Sequence, residues 1–61
     1  MRDWLKKIRE DSNLTQREIA SAASISQSYY EKIESGDRGL PVSTAKKIAA
    51  ALGFEWQKFY Q

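Results

Sequence analysis

Apolar residues recur at helical spacing along most of this 61-residue chain, and turn-forming residues separate the runs. In the first run, over residues 3–11, Met1, Leu5 and Ile8 share one stripe, and polar side chains point away from it. Trp4 flanks the stripe, and a Ser-Asn pair then breaks the pattern. The spacing predicts an amphipathic first helix.

A complete helix start signal opens the second run. Thr15 is placed to accept a hydrogen bond from the Glu18 amide, and the Glu18 carboxylate is placed to accept one from the Thr15 amide. Leu14 and Ile19 occupy the apolar positions on either side of this capping box. We expect the helix to end near residues 22–23, and Ser24 takes the turn. Its inward residues are Ile19, Ala20 and Ala23.

The third helix is predicted to start in the same way. Ser26 is placed to cap it, Ile25 and Tyr30 form the apolar pair around the cap, and Gly36 suits its left-handed end. On a helical wheel, Tyr30 and Ile33 point inward with Glu34 on their shoulder. The outward residues are Ser28 and Lys32, flanked by Gln27, Tyr29 and Glu31.

Two further helical segments complete the pattern. Pro41 suits the first turn of a fourth helix that Gly53 ends, and the aromatic-rich residues 54–60 favour two more helical turns. The predicted apolar face of the fourth helix comprises Val42, Ala45, Ile48, Ala49 and Leu52. No strand, repeat or linker pattern is visible. The sequence therefore predicts an all-α, compact five-helix bundle that forms a single domain over residues 1–61.

The composition narrows the possible chemistry. A chain of 61 residues with 41% hydrophobic content is near the lower limit of what folds alone and leaves no room for a deep active-site cavity. It has no cysteine and no histidine, and therefore no disulfide, no thiolate or imidazole ligand and no imidazole base. We expect no enzymatic activity, no metal, no cofactor and no small-molecule ligand.

The net charge and the apolar runs bear on partners and location. A formal charge of +2 and a pI near 9.1 are only weak evidence for an anionic partner. The positions of the charged residues are therefore the better guide to such a partner. The longest apolar run, residues 48–52, is too short to cross a bilayer, and no apolar signal segment follows Met1. The expectation is a cytoplasmic protein without a membrane partner.

Several short motifs follow one another at characteristic spacing. They are Leu14-Thr15-Gln16, Glu18-Ile19-Ala20, Ile25-Ser26, Tyr30, Ile33-Glu34-Ser35-Gly36, Ala45-Lys46-Lys47-Ile48-Ala49 and Leu52-Gly53. In this order they resemble the Xre or phage-repressor/Cro family of helix-turn-helix domains, from Leu5 to Phe59. The resemblance implies a lambda-repressor-like domain with its helix-turn-helix at about residues 15–35. It also implies a third helix in the major groove and a homodimer on palindromic double-stranded operator DNA. Ser24 stands where the family commonly has glycine.

The polar start of the third helix fits base reading. Gln27 is the first candidate, because a Gln side chain pairs bidentately with adenine N6 and N7. Ser28 and Lys32 are placed to reach base edges, and Lys32 also suits a phosphate. Tyr29 is placed to donate to a phosphate or to pack on a thymine methyl, but it fits packing against the second helix equally well. The predicted base-reading residues are Gln27, Ser28, Tyr29 and Lys32.

A second group of residues is predicted to contact phosphates. Gln16 resembles the family's phosphate-binding glutamine at the start of the second helix, and Arg17, Ser26 and Arg38 complete the group. Considered one at a time, the basic residues fit equally well as surface charges that keep the protein in solution without contacting DNA. Glu31 counts mildly against a purely electrostatic surface, since a carboxylate repels phosphates unless it accepts from cytosine N4.

Arg9 and Glu34 lie on the shoulders of two apolar stripes. The resemblance implies that they pair across the first and third helices, with Arg9 supplying a bidentate fork. Their role would be structural, because loss of Glu34 leaves Arg9 partly buried without its partner.

The aromatic C-terminal segment has two interpretations. Trp56 and Phe59 are expected to fold back on Trp4, while part of this patch, with Tyr60, suits a homodimer surface. The whole pattern favours a sequence-specific transcriptional regulator, with repression as the expected action. The alternative is a protein-interaction or antitoxin-like module with the same fold, which an apolar outward face would favour. The face here is Gln, Ser and Lys instead.

Overall fold

Helices are the only regular elements in the part of the chain that the structure describes. The structure, a computed structural model, describes residues 2–37 and 39–61. Within these two ranges the elements are α1 (Asp3–Asp11), α2 (Gln16–Ala22), α3 (Gln27–Ser35), α4 (Val42–Leu52) and a C-terminal 3-10 helix (Trp56–Tyr60), with no strand. The all-α fold class predicted from the sequence is confirmed.

Side-chain caps fix the starts of α2 and α3. Thr15 Oγ1 accepts from the Glu18 amide at 3.1 Å, and Glu18 Oε1 accepts from the Thr15 amide at 2.9 Å. At α3, Ser26 Oγ accepts from the Tyr29 amide at 3.1 Å. Each bond satisfies a backbone group that would otherwise have no partner in the first turn of a helix. Both helices therefore begin where the sequence predicts.

The connection between α2 and α3 depends on a left-handed backbone position. Ser24 has φ of 58°, in the region where a side chain costs energy and glycine is the usual residue. Gly36 and Gly53 occupy the same region at the ends of α3 and α4, with φ of 86° and 78°. The departure from glycine at Ser24 thus leaves the turn formed but strained.

All four α-helices contribute to one core. The buried hydrophobic residues are Leu5, Ile19, Ala20, Ala23, Tyr30, Ile33, Ala45, Ile48, Ala49 and Phe59. The predicted apolar face of α4 is wrong at one position, because Val42 remains 42% exposed. Val42 is the first residue of α4, and helical side chains lean towards the N-terminus, so it projects past the end of the packed face. Pro41 is the N-cap of α4 rather than part of its first turn.

The fifth α-helix predicted from the sequence is wrong, since the C-terminal element is a 3-10 helix of five residues. The Lys58 amide donates to the Glu55 carbonyl three positions earlier, at 3.1 Å. With three residues per turn, Trp56 and Phe59 lie on the same edge of the segment, and Phe59 enters the core. The element is only five residues long, and short pieces of this kind are where 3-10 hydrogen bonding is common.

Three aromatic rings join the first helix to the C-terminal segment. The Trp4 ring meets Phe54 and Phe59 edge-on, with centroid distances of 5.4 and 5.2 Å. Trp56 instead pairs with Tyr60 at 6.1 Å. Phe59 therefore folds back on Trp4 as expected, whereas Trp56 covers a neighbouring part of the surface and Phe54 joins Trp4 in its place.

Candidate nucleic-acid interface

The outward face of α3 is polar and open. Gln27, Ser28 and Lys32 are exposed, whereas Tyr30 and Ile33 on the opposite side are completely buried. The Ser26 cap and the left-handed Gly36 fix the two ends of the helix, and packing against α1 and α2 fixes its roll. Three of the predicted base-reading side chains therefore share a surface that is free to enter a groove.

Tyr29 lies differently from the other three. Its side chain is half-buried and packs against the core cluster, while its amide donates to the Ser26 cap. Packing against the core therefore buries part of the Tyr29 ring and leaves the rest exposed.

Two of the predicted phosphate-contacting residues are tied to α3: Ser26 caps the helix, and Gln16 bonds to Glu34. Ser26 is exposed, and its hydroxyl keeps a proton to donate after accepting the cap bond. Arg17 is exposed on the first turn of α2, and Gln16 beside it is half-buried. Arg38 lies outside the described residues, as does Met1 of the predicted stripe on α1.

The Arg9–Glu34 pair joins α1 to α3 just beneath this surface. Arg9 Nε donates to Glu34 Oε2 at 2.9 Å and Arg9 Nη2 donates to Glu34 Oε1 at 3.1 Å, which is a bidentate fork. A third donor, Arg9 Nη1, bonds to the Leu14 carbonyl at 2.9 Å. The Glu34 side chain is 4% exposed and that of Arg9 is 11% exposed.

The pair shifts the ionisation of both partners. Burial pushes the pKa of Glu34 upward, but the hydrogen bonds from Arg9 and Gln16 and the charge of Arg9 together hold that pKa below its usual value. The hydrogen bond to Glu34 likewise raises the pKa of Arg9. Both groups are therefore charged at neutral pH, and each compensates the other's burial.

Tyr30 carries a buried hydroxyl beside this pair. Its Oη has no hydrogen-bond partner among residues 2–37 and 39–61. Burial, with the Glu34 carboxylate nearby, raises the pKa of Tyr30. The phenol is therefore neutral and contributes to this region by packing.

One contact in the network was not foreseen from the sequence. Gln16 Nε2 donates to Glu34 Oε1 at 3.3 Å, so the predicted phosphate ligand on α2 is attached to the buried carboxylate of α3. Gln16 also lines a concavity of about 270 Å³ with Arg9, Glu34 and three further residues, Lys6, Glu31 and Ser35. Lys6 is exposed, as expected for one of the polar side chains that point away from the apolar stripe of α1.

A second concavity of about 340 Å³ lies on the outer side of α3. It is lined by Ser28, Glu31, Lys32, Ser35 and Asp37. Two of these side chains are acidic and only one is basic, so charge alone does not make this surface attractive to phosphates. The concavity therefore offers hydrogen-bonding side chains but no strong positive field.

Other kinds of site have no support in the residues that the structure describes. They contain no group of three potential metal-ligating side chains. None of their helices is long and apolar enough to cross a membrane.

Comparison with known proteins gives a consistent result. The sequence profile described as helix-turn-helix matches residues 5–59. The chain is 48% identical over 61 residues to "Uncharacterized HTH-type transcriptional regulator YqaF" of Bacillus subtilis (strain 168), covering 100% of this chain and 80% of that protein. It is 33% identical over 57 residues to "Control protein C.MunI" of Mycoplasma sp, covering 92% of this chain and 77% of that protein.

Proposed function

The chain belongs to the helix-turn-helix family and is a DNA-binding transcriptional regulator, and from this premise we propose how it reads its target. In the proposal, α3 enters the major groove of double-stranded operator DNA and α2 lies across the phosphate backbone. The proposal assigns the chain no catalytic step.

The observation that carries this proposal is the polar face of α3. Gln27, Ser28 and Lys32 are exposed together on a helix whose other side is anchored in the core. A helix held in this way brings these side chains to base edges on a backbone that is already ordered, so that only their rotamers remain to be fixed on binding.

The residues divide into two roles. Gln27, Ser28 and Lys32, with the exposed part of Tyr29, read base edges, and Gln27 pairs with adenine. Gln16, Arg17, Ser26 and Arg38 contact phosphates and set the register of α3 in the groove. Arg9 and Glu34 hold α3 against α1 and touch no DNA.

We further propose that the chain binds a palindromic operator as a homodimer. Val42 and Tyr60 are large hydrophobic side chains with 42% and 51% exposure, and Trp56 beside Tyr60 is half-buried. A second copy covering Tyr60 and Trp56 would remove their exposed apolar surface from water, and a two-fold dimer matches the two half-sites of a palindrome. Occupation of the operator would exclude polymerase and repress transcription in the cytoplasm of a prokaryotic cell.

Selection of bound sites from random duplex DNA tests the base-reading role. We expect a defined site, and we expect Gln27→Ala to relax one base position at a cost of about 1–3 kcal/mol. Arg17→Ala is the matched variant, since a lost phosphate contact weakens all duplexes alike and lowers the salt slope by about 1. Equal affinity of the wild-type chain for every duplex would contradict sequence-specific regulation.

Mass measurement by sedimentation tests the dimer separately. The expected species is a dimer on the selected duplex, and Tyr60→Glu should dissociate it by placing a charge in an apolar contact. A monomeric mass at high concentration, both with and without the selected duplex, would rule the homodimer out.

A further inference from the structure

We infer that Glu34 is a positioning residue of the DNA-binding surface: its carboxylate fixes the Gln16 side-chain amide so that one N–H faces inward and the other faces the phosphate. The inference rests on the proposed function, because it concerns how a proposed phosphate ligand is held. In this inference the buried Arg9–Glu34 pair positions a DNA-contacting side chain in addition to stabilising the fold.

The chemistry of the contact sets the orientation of the amide. An ionised carboxylate only accepts hydrogen bonds, so the atom of Gln16 that faces Glu34 Oε1 at 3.3 Å must be Nε2 and not Oε1. The NH₂ group has two protons, and the bond to Glu34 uses one of them. The other proton remains available to a phosphate oxygen, which also only accepts. A flipped amide would instead present its oxygen to one of these two anions.

The position of the carboxylate is itself fixed. The bidentate fork from Arg9 holds both oxygens of Glu34, and the Leu14 carbonyl holds a third donor of Arg9 in turn. Glu34 as a whole residue is 3% exposed, so water does not compete for these bonds. Gln16 is only half-buried and would otherwise sample several rotamers. Attachment to a rigid carboxylate therefore lowers the entropic cost of the phosphate contact.

A double-mutant cycle in DNA affinity tests this coupling. The variants are Gln16→Ala, Glu34→Gln and the double variant, titrated against a labelled duplex recovered by selection and an unselected duplex of the same length. In the wild-type background Gln16→Ala should weaken binding about 10-fold, the scale of one hydrogen bond to a charged group. In the Glu34→Gln background the same change should cost less than about 3-fold, because a neutral amide at position 34 offers either an oxygen or an NH₂ group and no longer dictates which end of the Gln16 amide faces it.

Tyr30→Phe serves as the matched control. It alters a different neighbour of Glu34 and leaves the Gln16 contact in place, so affinity for both duplexes should stay unchanged. A purely structural Glu34 would give equal Gln16→Ala penalties in both backgrounds, and that result overturns the inference while leaving the proposed function intact. Failure of the selection to recover any bound duplex, or equal affinity of the wild-type chain for both duplexes, overturns the proposed function and the inference with it.

A measurement on the wild-type chain decides the matter if Glu34→Gln does not fold. In ¹⁵N-labelled protein, the two side-chain amide protons of Gln16 should differ strongly in shift and exchange slowly with water, unlike those of the exposed Gln57. Addition of the selected duplex should move mainly the proton that does not face Glu34. Gln16 amide protons that behave like those of Gln57, or that shift together on DNA binding, overturn the inference.

Discussion

Glu34 keeps a negative charge almost entirely away from water, and Arg9 is the group that makes this possible. Glu34→Ala would leave the Arg9 guanidinium partly buried without its bidentate partner. We expect a loss of about 3–5 kcal/mol in the free energy of unfolding, the usual result of breaking a buried pair from one side. Such a loss approaches the whole stability of a domain this small. Urea unfolding followed by circular dichroism measures it.

The exposed ion pair on α1 supplies the control for this prediction. Lys7 and Asp11 are 3.8 Å apart, with side chains 79% and 67% exposed, so Lys7→Ala should change the free energy of unfolding by less than about 0.5 kcal/mol. Equal losses in the two variants would show that burial does not set the strength of the Arg9–Glu34 pair.

Ser24 carries backbone strain at the turn between α2 and α3. Ser24→Gly should raise the free energy of unfolding by about 0.5–1 kcal/mol, because glycine adopts a φ of 58° without a Cβ clash and Ser24 is exposed. Ser21→Gly, the same exchange inside α2, should instead lower it by about 0.5 kcal/mol. Thermal unfolding of both variants tests the pair, and a loss of stability in Ser24→Gly would refute the strain.

The start of α2 is set at the scale of the element by its capping box. Thr15→Ala removes the acceptor of the Glu18 amide and should cost about 1 kcal/mol of unfolding free energy. Thr15→Ser retains the hydroxyl and should cost only a few tenths of that. Chemical unfolding of the two variants gives the comparison, and similar losses would mean that the methyl group of Thr15, not its hydroxyl, stabilises the helix start.

Helix boundaries were the part of the fold that the sequence predicted best. The cap at Thr15 and the left-handed Gly36 act within a few residues of themselves, so their effect is visible in the local sequence. The 3-10 form of residues 56–60 was not predictable in this way. It depends on Phe59 meeting Trp4, which lies at the other end of the chain.

The candidate site was predictable to a similar degree. The exposed face of Gln27, Ser28 and Lys32 follows from helical periodicity, which is a local property. The bond between Gln16 and Glu34 spans 18 positions and depends on how α2 packs against α3. No spacing rule within one helix contains that information.

At the scale of the whole molecule, the ionisation of two carboxylates makes the free energy of unfolding depend on pH. Burial raises the pKa of Glu34, but the hydrogen bonds it accepts and the charge of Arg9 together lower it below its usual value, and the Thr15 amide lowers the pKa of Glu18. Both groups bind their proton more weakly in the folded chain, so their stabilisation is complete above the ordinary glutamate pKa of about 4.3. It is lost as pH falls through the lower folded-state values.

We therefore expect the free energy of unfolding to vary little between about pH 6 and 8 and to fall below about pH 4. No histidine is present to titrate in the neutral range. Urea titrations at a series of pH values measure the profile, and Glu34→Gln should show a smaller acid loss than the wild type. Parallel acid profiles for the two proteins would exclude Glu34 as a source of this dependence.

The ring contacts of Trp4 with Phe54 and Phe59 have a consequence for local opening. Fraying of the C-terminal segment would expose apolar surface of α1 to water. Opening one of these two segments while the other stays folded therefore costs additional free energy. Amide protons in α1 and in residues 56–60 should accordingly exchange with solvent deuterium in one cooperative step. Phe59→Ala should uncouple the two ends, and independent exchange in the wild type would show that the rings do not link them.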